Sequence, residues 1–134
     1  MNSRAMNKYK INPRRLAELR NFAYQYHDWI EALEEITEIS AVNNDGLPRG
    51  TETSDPTARL ASQRERWRDN IRLVDKCIEG CSKDEAVRMC VRIAVTTPRT
   101  SFAKLKARGL TYFERDTYYL ALRRCYWLMN LEKM

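Results

Sequence analysis

Apolar residues recur at three- and four-residue steps along most of this chain, a spacing typical of amphipathic helices. The first stripe begins after Asn12-Pro13, a helix cap followed by a first-turn proline, and continues to about Ser40. Its apolar members are Leu16, Leu19, Phe22, Ala23, Tyr26, Trp29, Ile30, Leu33 and Ile36. The pattern predicts one long helix, preceded over residues 1–11 by a frayed basic arm.

Turn-forming residues replace the apolar pattern between residues 41 and 54. The segment AVNNDGLPRGTETS contains two glycines and one proline and keeps no helical periodicity, so we expect a linker. A second long helix is predicted to begin at Ser54, its cap, and to continue to about Glu79, with Gly80 as the residue that ends it. Its buried side should comprise Leu60, Ala61, Trp67, Ile71, Val74 and Ile78.

A third helix is predicted after residue 82. Ser82 and Glu85 have the spacing of a capping box, in which each side chain bonds to the backbone N–H of the other residue. Residues 86–95 are almost continuously apolar, which indicates the centre of the core. Thr97-Pro98 should end this helix.

Two further helices complete the chain. A short fourth helix is expected over about residues 101–108, with Gly109 as a left-handed turn residue. Thr111 and Glu114 predict a capping box for a fifth helix over about residues 112–131. This helix is apolar on two nearly opposite sides, one formed by Tyr118, Leu122, Cys125 and Met129 and the other by Phe113, Leu120, Trp127 and Leu131. Such a helix is either enclosed between elements of its own chain or shared with a second subunit.

No stretch shows the alternation of a β-strand, so we predict an all-α fold of about five helices. A chain of 134 residues suits one domain over 1–134: an arm and long helix (1–40), a linker (41–54), a second long helix (55–81) and a helix-turn-helix-like region of three helices (82–134). No apolar run approaches the roughly 20 residues of a membrane span, and the start lacks the apolar centre of a signal peptide. We therefore expect a cytoplasmic protein without membrane contact.

The chemistry of a catalytic or metal site is missing from the sequence. The cysteines Cys77, Cys81, Cys90 and Cys125 include no Cys-x-x-Cys pair, and His27 is the only histidine. Buried free thiols are therefore the better interpretation. No glycine-rich phosphate loop, catalytic triad or paired-carboxylate pattern is present, so we expect no enzymatic activity and no cofactor.

Charge is distributed in blocks along the chain, whose net charge is +6. Residues 1–20 hold six cations and one acid, residues 21–54 one cation and seven acids, and residues 97–134 eight cations and three acids. Two basic helices joined at Gly109 are what a helix-turn-helix DNA reader needs. Cations attract the phosphates, and one helix fits the major groove.

Arg123 and Arg124 of the fifth helix are candidates for DNA contact. Adjacent side chains point about 100° apart on a helix, so the two guanidinium groups could reach different phosphates, or one could reach a guanine edge. The alternative is a solubilising pair with Asp116 or Glu132 as partners. The basic residues of the neighbouring fourth helix favour DNA contact.

Four segments occur in an order that resembles a known family. They are YQYHDWIEALEEI, NNDGLPRGTETSDPTARLA, SFAKLKARG and ERDTYYLALRRCYWLMN. Together they look similar to the ArpU/RinA-type phage transcriptional regulators of Gram-positive bacteria and their prophages. The resemblance implies a small cytoplasmic regulator of phage late or lysis genes with a sigma-factor-like C-terminal helix-turn-helix. It would place residues 101–117 together with Arg123 and Arg124 in the DNA-reading module.

The leading hypothesis is a non-enzymatic transcriptional regulator that binds double-stranded DNA through its C-terminal basic helix. The candidate DNA-binding residues are Arg99, Lys104, Lys106, Arg108, Arg115, Thr117, Arg123 and Arg124. The alternative is a protein–protein module of a phage, such as a small-terminase-like packaging subunit or a regulator that contacts RNA polymerase. The two-sided fifth helix and the acidic block over residues 21–54 favour that alternative.

We also expect a homodimer. A first helix of roughly 40 Å would leave Trp29, Ile30, Leu33 and Ile36 exposed in a monomer. The alternative is that the second helix folds back along this strip, with the linker over residues 41–54 as the turn.

Overall fold

A computed structural model describes residues 8–43 and 55–134 of the chain, with side chains for residues 8–36 and 58–134. The regular structure of these residues is α-helical, which confirms the predicted all-α class. The helices are α1 (Pro13–Ala23), α2 (Tyr26–Asn43), α3 (Asp55–Cys81), α4 (Glu85–Thr96), α5 (Phe102–Ala107) and α6 (Arg115–Glu132). Since α1 and α2 together occupy the first predicted helix, the expected count of about five is confirmed as well.

A two-residue turn at Tyr24 and Gln25 divides the first predicted helix. Asn12 caps α1 as expected, because its side chain accepts a hydrogen bond from the backbone N–H of Arg14 at 2.9 Å. After α1, the N–H of Gln25 donates to the carbonyl of Phe22, a three-residue step that is tighter than an α-helix. Neither proline nor glycine marks this break, so apolar periodicity alone could not show it.

The segment that leads into α1 packs on the core. Tyr9 is 9% exposed and Ile11 is 6% exposed, and the ring of Tyr9 lies 5.2 Å from that of Trp127. The prediction of a frayed arm is therefore wrong for these residues, while residues 1–7 lie outside the described part of the chain.

The beginning of α3 lies outside the core. Leu60 is 41% exposed and Ala61 is exposed too, so the predicted buried side is wrong at these two positions. Burial starts near the half-buried Trp67 and is complete at Val74 and Ile78. The physical reason is length, since a helix of 27 residues spans about 40 Å and extends beyond the body formed by shorter helices. The predicted linker over residues 41–54 is wrong at residues 41–43, which belong to α2. The rest of the linker and the cap expected at Ser54 lie outside the described residues.

Gly80 lies inside α3, which ends one residue later at Cys81, so it is not the predicted helix end. A Cβ atom at Gly80 would lie 3.1 Å from the Cδ1 atom of Leu128. The missing side chain therefore lets α3 and α6 approach closely at this point.

α3 packs along α2, and this contact covers the apolar strip from which we predict a dimer. Trp29 is 6% exposed and Ile36 is 7% exposed, while Ile30 and Leu33 are half-buried. The second long helix thus folds back on the first, which was the alternative to self-association. A dimer would need a different surface.

α6 is the central helix of the core. It packs against α3, α4 and α1, and it contributes Tyr118, Ala121, Cys125, Tyr126 and Met129 to the buried set. These buried residues lie on or beside the side formed by Tyr118, Leu122, Cys125 and Met129, which other helices of the same chain enclose. The opposite side is half-buried at Phe113, Leu120 and Trp127 and exposed at Leu131, so enclosure accounts for one of the two apolar sides.

Two predicted capping boxes are wrong, and one predicted turn residue is confirmed. The cap of α4 is Asp84, whose carboxylate accepts from the N–H of Ala86, and Ser82 instead accepts from the N–H of Asp84. α6 begins after Glu114 without a side-chain capping bond, so the predicted box there is wrong. Gly109 adopts a φ of +71°, as expected for a left-handed turn residue.

One hydrogen-bonded network joins three helices beside the core. The hydroxyl of Tyr26 in α2 donates to Oδ1 of Asp75 in α3 at 2.8 Å. From α4, Nη1 of Arg92 donates to the same oxygen at 2.8 Å and to the Tyr26 hydroxyl at 3.1 Å. The pKa of Tyr26 is raised by burial and then by the neighbouring carboxylate. The network fixes the position of α4 relative to the pair α2–α3.

The cysteines are buried free thiols, as predicted. Burial raises the pKa of Cys77 to about 12 and of Cys81 to about 11, and it raises the pKa of Cys125 well above the ordinary value. These thiols therefore stay protonated near neutral pH and behave as small apolar side chains.

Within the described ranges, none of the helices combines the length and the apolar character that crossing a membrane requires.

Candidate nucleic-acid interface

Four of the predicted DNA-binding residues lie on one short segment that extends from the end of α4 to the residue after α5. We call Arg99, Lys104, Lys106 and Arg108 the basic turn. All four side chains are exposed. Three of them, Arg99, Lys104 and Arg108, border a shallow cleft of about 260 Å³.

The backbone of the basic turn is held in place by local bonds. Thr97-Pro98 ends α4 as predicted, and Arg99 adopts a φ of +64°, which is rare for a residue other than glycine. The Nζ atom of Lys104 donates to the carbonyl of Arg99 at 2.7 Å. The hydroxyl of Ser101 caps α5 by accepting from the N–H of Lys104 at 3.2 Å. The turn therefore presents its cations from a defined backbone.

Carboxylates do not neutralise the basic turn within the described residues. The ion pairs of the described chain involve other cations, on α1, α3 and α4. Of the three acids in residues 97–134, Glu132 pairs with Lys76 at 2.7 Å. Exposed and unpaired cations on one segment are suited to contact a polyanion, since no internal pair must be broken first.

The remaining predicted site residues lie on α6, where they divide between two sides. Arg115 and Arg123 line a groove of about 530 Å³ between α1 and α6. Arg124 is exposed and does not line that groove, so the two adjacent arginines do point in different directions. Thr117 is exposed in the first turn of the helix.

The groove, which we call the α1–α6 groove, brings together residues that are far apart in the sequence. Arg20 from α1 faces the same space as Arg115 and Arg123. The guanidinium carbon of Arg115 lies 5.3 Å from the centre of the Tyr119 ring, and that of Arg20 lies 6.0 Å from the centre of the Tyr126 ring. Stacking of this kind restrains an arginine while leaving its edge N–H groups able to donate.

Sequence reasoning missed Arg20, Tyr119 and Tyr126 as members of a site. Arg20 counted only toward the charge of residues 1–20, and the two tyrosines counted only toward the resemblance of the segment ERDTYYLALRRCYWLMN. Their common location depends on how α1 crosses α6, which no local pattern encodes. The one available indication was that Arg20 and Arg123 both flank apolar stripes of their helices.

Burial limits how α6 could read DNA. A recognition helix needs one side free along several turns to enter the major groove. The central turns of α6 are enclosed by three helices, and its exposed basic and hydroxyl side chains are Arg115, Thr117 and Arg124. The accessible part of α6 is therefore its first turn and a narrow stripe through Arg124.

No group of three or more His, Cys, Asp or Glu side chains in the described part of the chain is arranged to hold a metal ion. Comparison of the chain with protein-family models, with curated proteins and with solved structures found no match in any of the three.

Proposed function

We propose that this protein is a non-enzymatic DNA-binding transcriptional regulator of phage or prophage origin that acts in the bacterial cytoplasm. The observation that carries the proposal is the basic turn, four exposed cations on ten consecutive residues without a described carboxylate partner. The sequence resemblance to the ArpU/RinA-type regulators supports the same function.

In this proposal the basic turn makes the principal phosphate contacts of double-stranded DNA. Each cation that meets a phosphate releases condensed counterions, which supplies affinity without sequence preference. Arg115 and Thr117 follow the turn directly and would contact the next part of the duplex. Base reading would come from this first turn of α6, because the turns beyond it pack into the core.

The test compares two variants that remove the same charge. Lys104→Ala/Lys106→Ala removes two cations from the basic turn, and Arg59→Ala/Arg66→Ala removes two exposed cations from α3. Binding of labelled genomic fragments is followed by fluorescence anisotropy between about 50 and 200 mM salt. We expect the first variant to bind more weakly and to lower the slope of log affinity against log salt by about 2 units.

The α3 variant serves as the control and should retain most of the salt slope of the wild type. Equal effects of the two variants would mean that affinity follows net charge alone, and the basic turn would lose its assigned role. Fragments that bind equally well across the whole salt range would contradict DNA binding by phosphate contacts.

A second function, a protein–protein module of a phage, is favoured by the exposed beginning of α3. Its side chains from Ala58 to Gln63 are all exposed, and they include Leu60 at 41%. This surface could serve a homodimer, a packaging subunit or contact with RNA polymerase. Sedimentation of the wild type and of Leu60→Asp at tens of micromolar tests the dimer, because only self-association through α3 would be abolished by the substitution.

A further inference from the structure

We propose that the α1–α6 groove is a binding site for a nucleotide, that is, a phosphate group attached to a planar base. The proposal is independent of duplex binding by the basic turn. It concerns side chains outside the basic turn. Arg115 is the one groove residue that the proposed duplex contact also uses, and neither test changes it.

The charge of the groove favours an anion. Three guanidinium groups, those of Arg20, Arg115 and Arg123, line it, and Asp116 is the one carboxylate among its described lining residues. The balance of charge is therefore positive. Arginine is the side chain best suited to phosphate, because its planar group donates two parallel hydrogen bonds to neighbouring oxygens.

The walls of the groove favour a ligand with a flat apolar part. Leu16 and Tyr126 are buried at its floor, while Leu122 and Tyr119 are half-buried beside them. A bare phosphate would leave these surfaces unused. A base could pack against the half-buried Leu122 and Tyr119 side chains while its phosphate meets the arginines.

The volume of the groove and the restraint on its arginine side chains both agree with a nucleotide ligand. A volume of about 530 Å³ falls within the range of about 300–1,000 Å³ typical of small-molecule sites. Two of the arginines are already restrained by stacking, Arg115 on Tyr119 and Arg20 on Tyr126. Less side-chain entropy is then lost when they bind a ligand.

A phosphate attached to a base could come from either of two ligands, a free nucleotide or one nucleotide of a single-stranded nucleic acid. Isothermal titration with adenosine 5′-monophosphate, inorganic phosphate, adenosine and a single-stranded DNA 12-mer separates them. We expect the monophosphate or the 12-mer to bind at least about tenfold more tightly than phosphate or adenosine, because both parts of the site are then used. Binding of the monophosphate identifies a free nucleotide, and binding of the 12-mer alone identifies a strand.

Charge reversal locates the site. Arg20→Glu and Arg123→Glu should each weaken binding at least about tenfold, and Arg124→Glu is the matched control, since it makes the same change at the next position of α6 outside the groove. Arg20 is exposed on α1, so its variant tests the site even if the half-buried Arg123 variant fails to fold.

Three results would overturn the proposal. The first is that phosphate or adenosine binds as tightly as the monophosphate and the 12-mer. The second is loss of binding in the Arg124 control to the same extent as in the Arg20 variant, and the third is no binding of either the monophosphate or the 12-mer. Duplex binding by the Lys104→Ala/Lys106→Ala variant is measured in a separate experiment. A result that contradicts nucleotide binding in the groove is therefore distinguishable from one that contradicts duplex binding by the basic turn.

Discussion

Removal of the carboxylate from the network that joins α2, α3 and α4 should destabilise the protein measurably. We consider Asp75→Ala, because Asp75 accepts hydrogen bonds from both Tyr26 and Arg92 at 2.8 Å. The substitution removes both bonds at once and leaves the Arg92–Tyr26 bond of 3.1 Å in place. The loss of unfolding free energy can therefore be divided between the bond from Tyr26 and the bond from Arg92.

The expected loss is about 2 kcal/mol of unfolding free energy. The bond from the Tyr26 hydroxyl to the carboxylate should contribute about 1 kcal/mol. The Arg92 and Asp75 side chains remain 37% and 38% exposed, so solvent screening limits their ion pair to about 1 kcal/mol or less. For a domain of this size, the sum corresponds to a decrease in Tm of about 6–8 °C.

Urea denaturation followed by circular dichroism measures the change, and a double-mutant cycle with Tyr26→Phe assigns it. We expect Tyr26→Phe to cost about 1 kcal/mol in the wild type and much less in the Asp75→Ala background. Asp69→Ala is the control, because Asp69 lies on the same helix in an exposed pair with Arg72 and should change stability by less than about 0.5 kcal/mol. Strictly additive effects of the Tyr26 and Asp75 substitutions would refute the network as a coupled unit.

Two further predictions concern α3. The pKa values of Cys77 and Cys81 are raised from 9.0 to about 12 and about 11 by burial, so their contribution to stability should be complete below pH 9 and lost as the pH rises through 11 to 12. Urea midpoints at pH 7, 9 and 10 should therefore fall only above pH 9, and an unchanged midpoint at pH 10 would contradict this. Gly80→Val should cost about 1–3 kcal/mol, because its branched side chain meets Leu128 where even a Cβ atom would be 3.1 Å away. Gly80→Ala should stay within about 1 kcal/mol of the wild type, since the gain in helix propensity offsets the closer contact, and equal stability of the valine variant would show that α6 shifts freely.

The sequence predicted the helices well because their determinants are local. Asn12 with Pro13, Thr97 with Pro98 and the glycine at position 109 each act through one or two neighbouring residues, and each has the expected role. The break at Tyr24 was missed because the apolar stripe continues through it in the sequence. Gly80 was misassigned because a glycine required for close helix packing has the same appearance as one that ends a helix.

The candidate site was predictable in composition but not in arrangement. The exposure of the basic turn follows from its charge density and from its position on the six-residue helix α5 and the loop that precedes it. Contacts between α1 and α6 place Arg115 and Arg123 beside Arg20 in one groove. They leave Arg124 outside it. Such contacts bring together residues about a hundred positions apart, beyond the range of any periodic pattern.

The central position of α6 has a consequence for how the chain is made. α1, α3 and α4 all pack on this helix, yet it is synthesised after them. Until residues 115–132 have left the ribosome, the apolar sides of the earlier helices have no partner at the middle of the core, and they are open to other hydrophobic surfaces in the cell. The core can therefore be completed only after the synthesis of α6, although α2, α3 and α4 also pack on one another. Chaperone binding to nascent chains of this protein should end at the length at which α6 emerges from the ribosome.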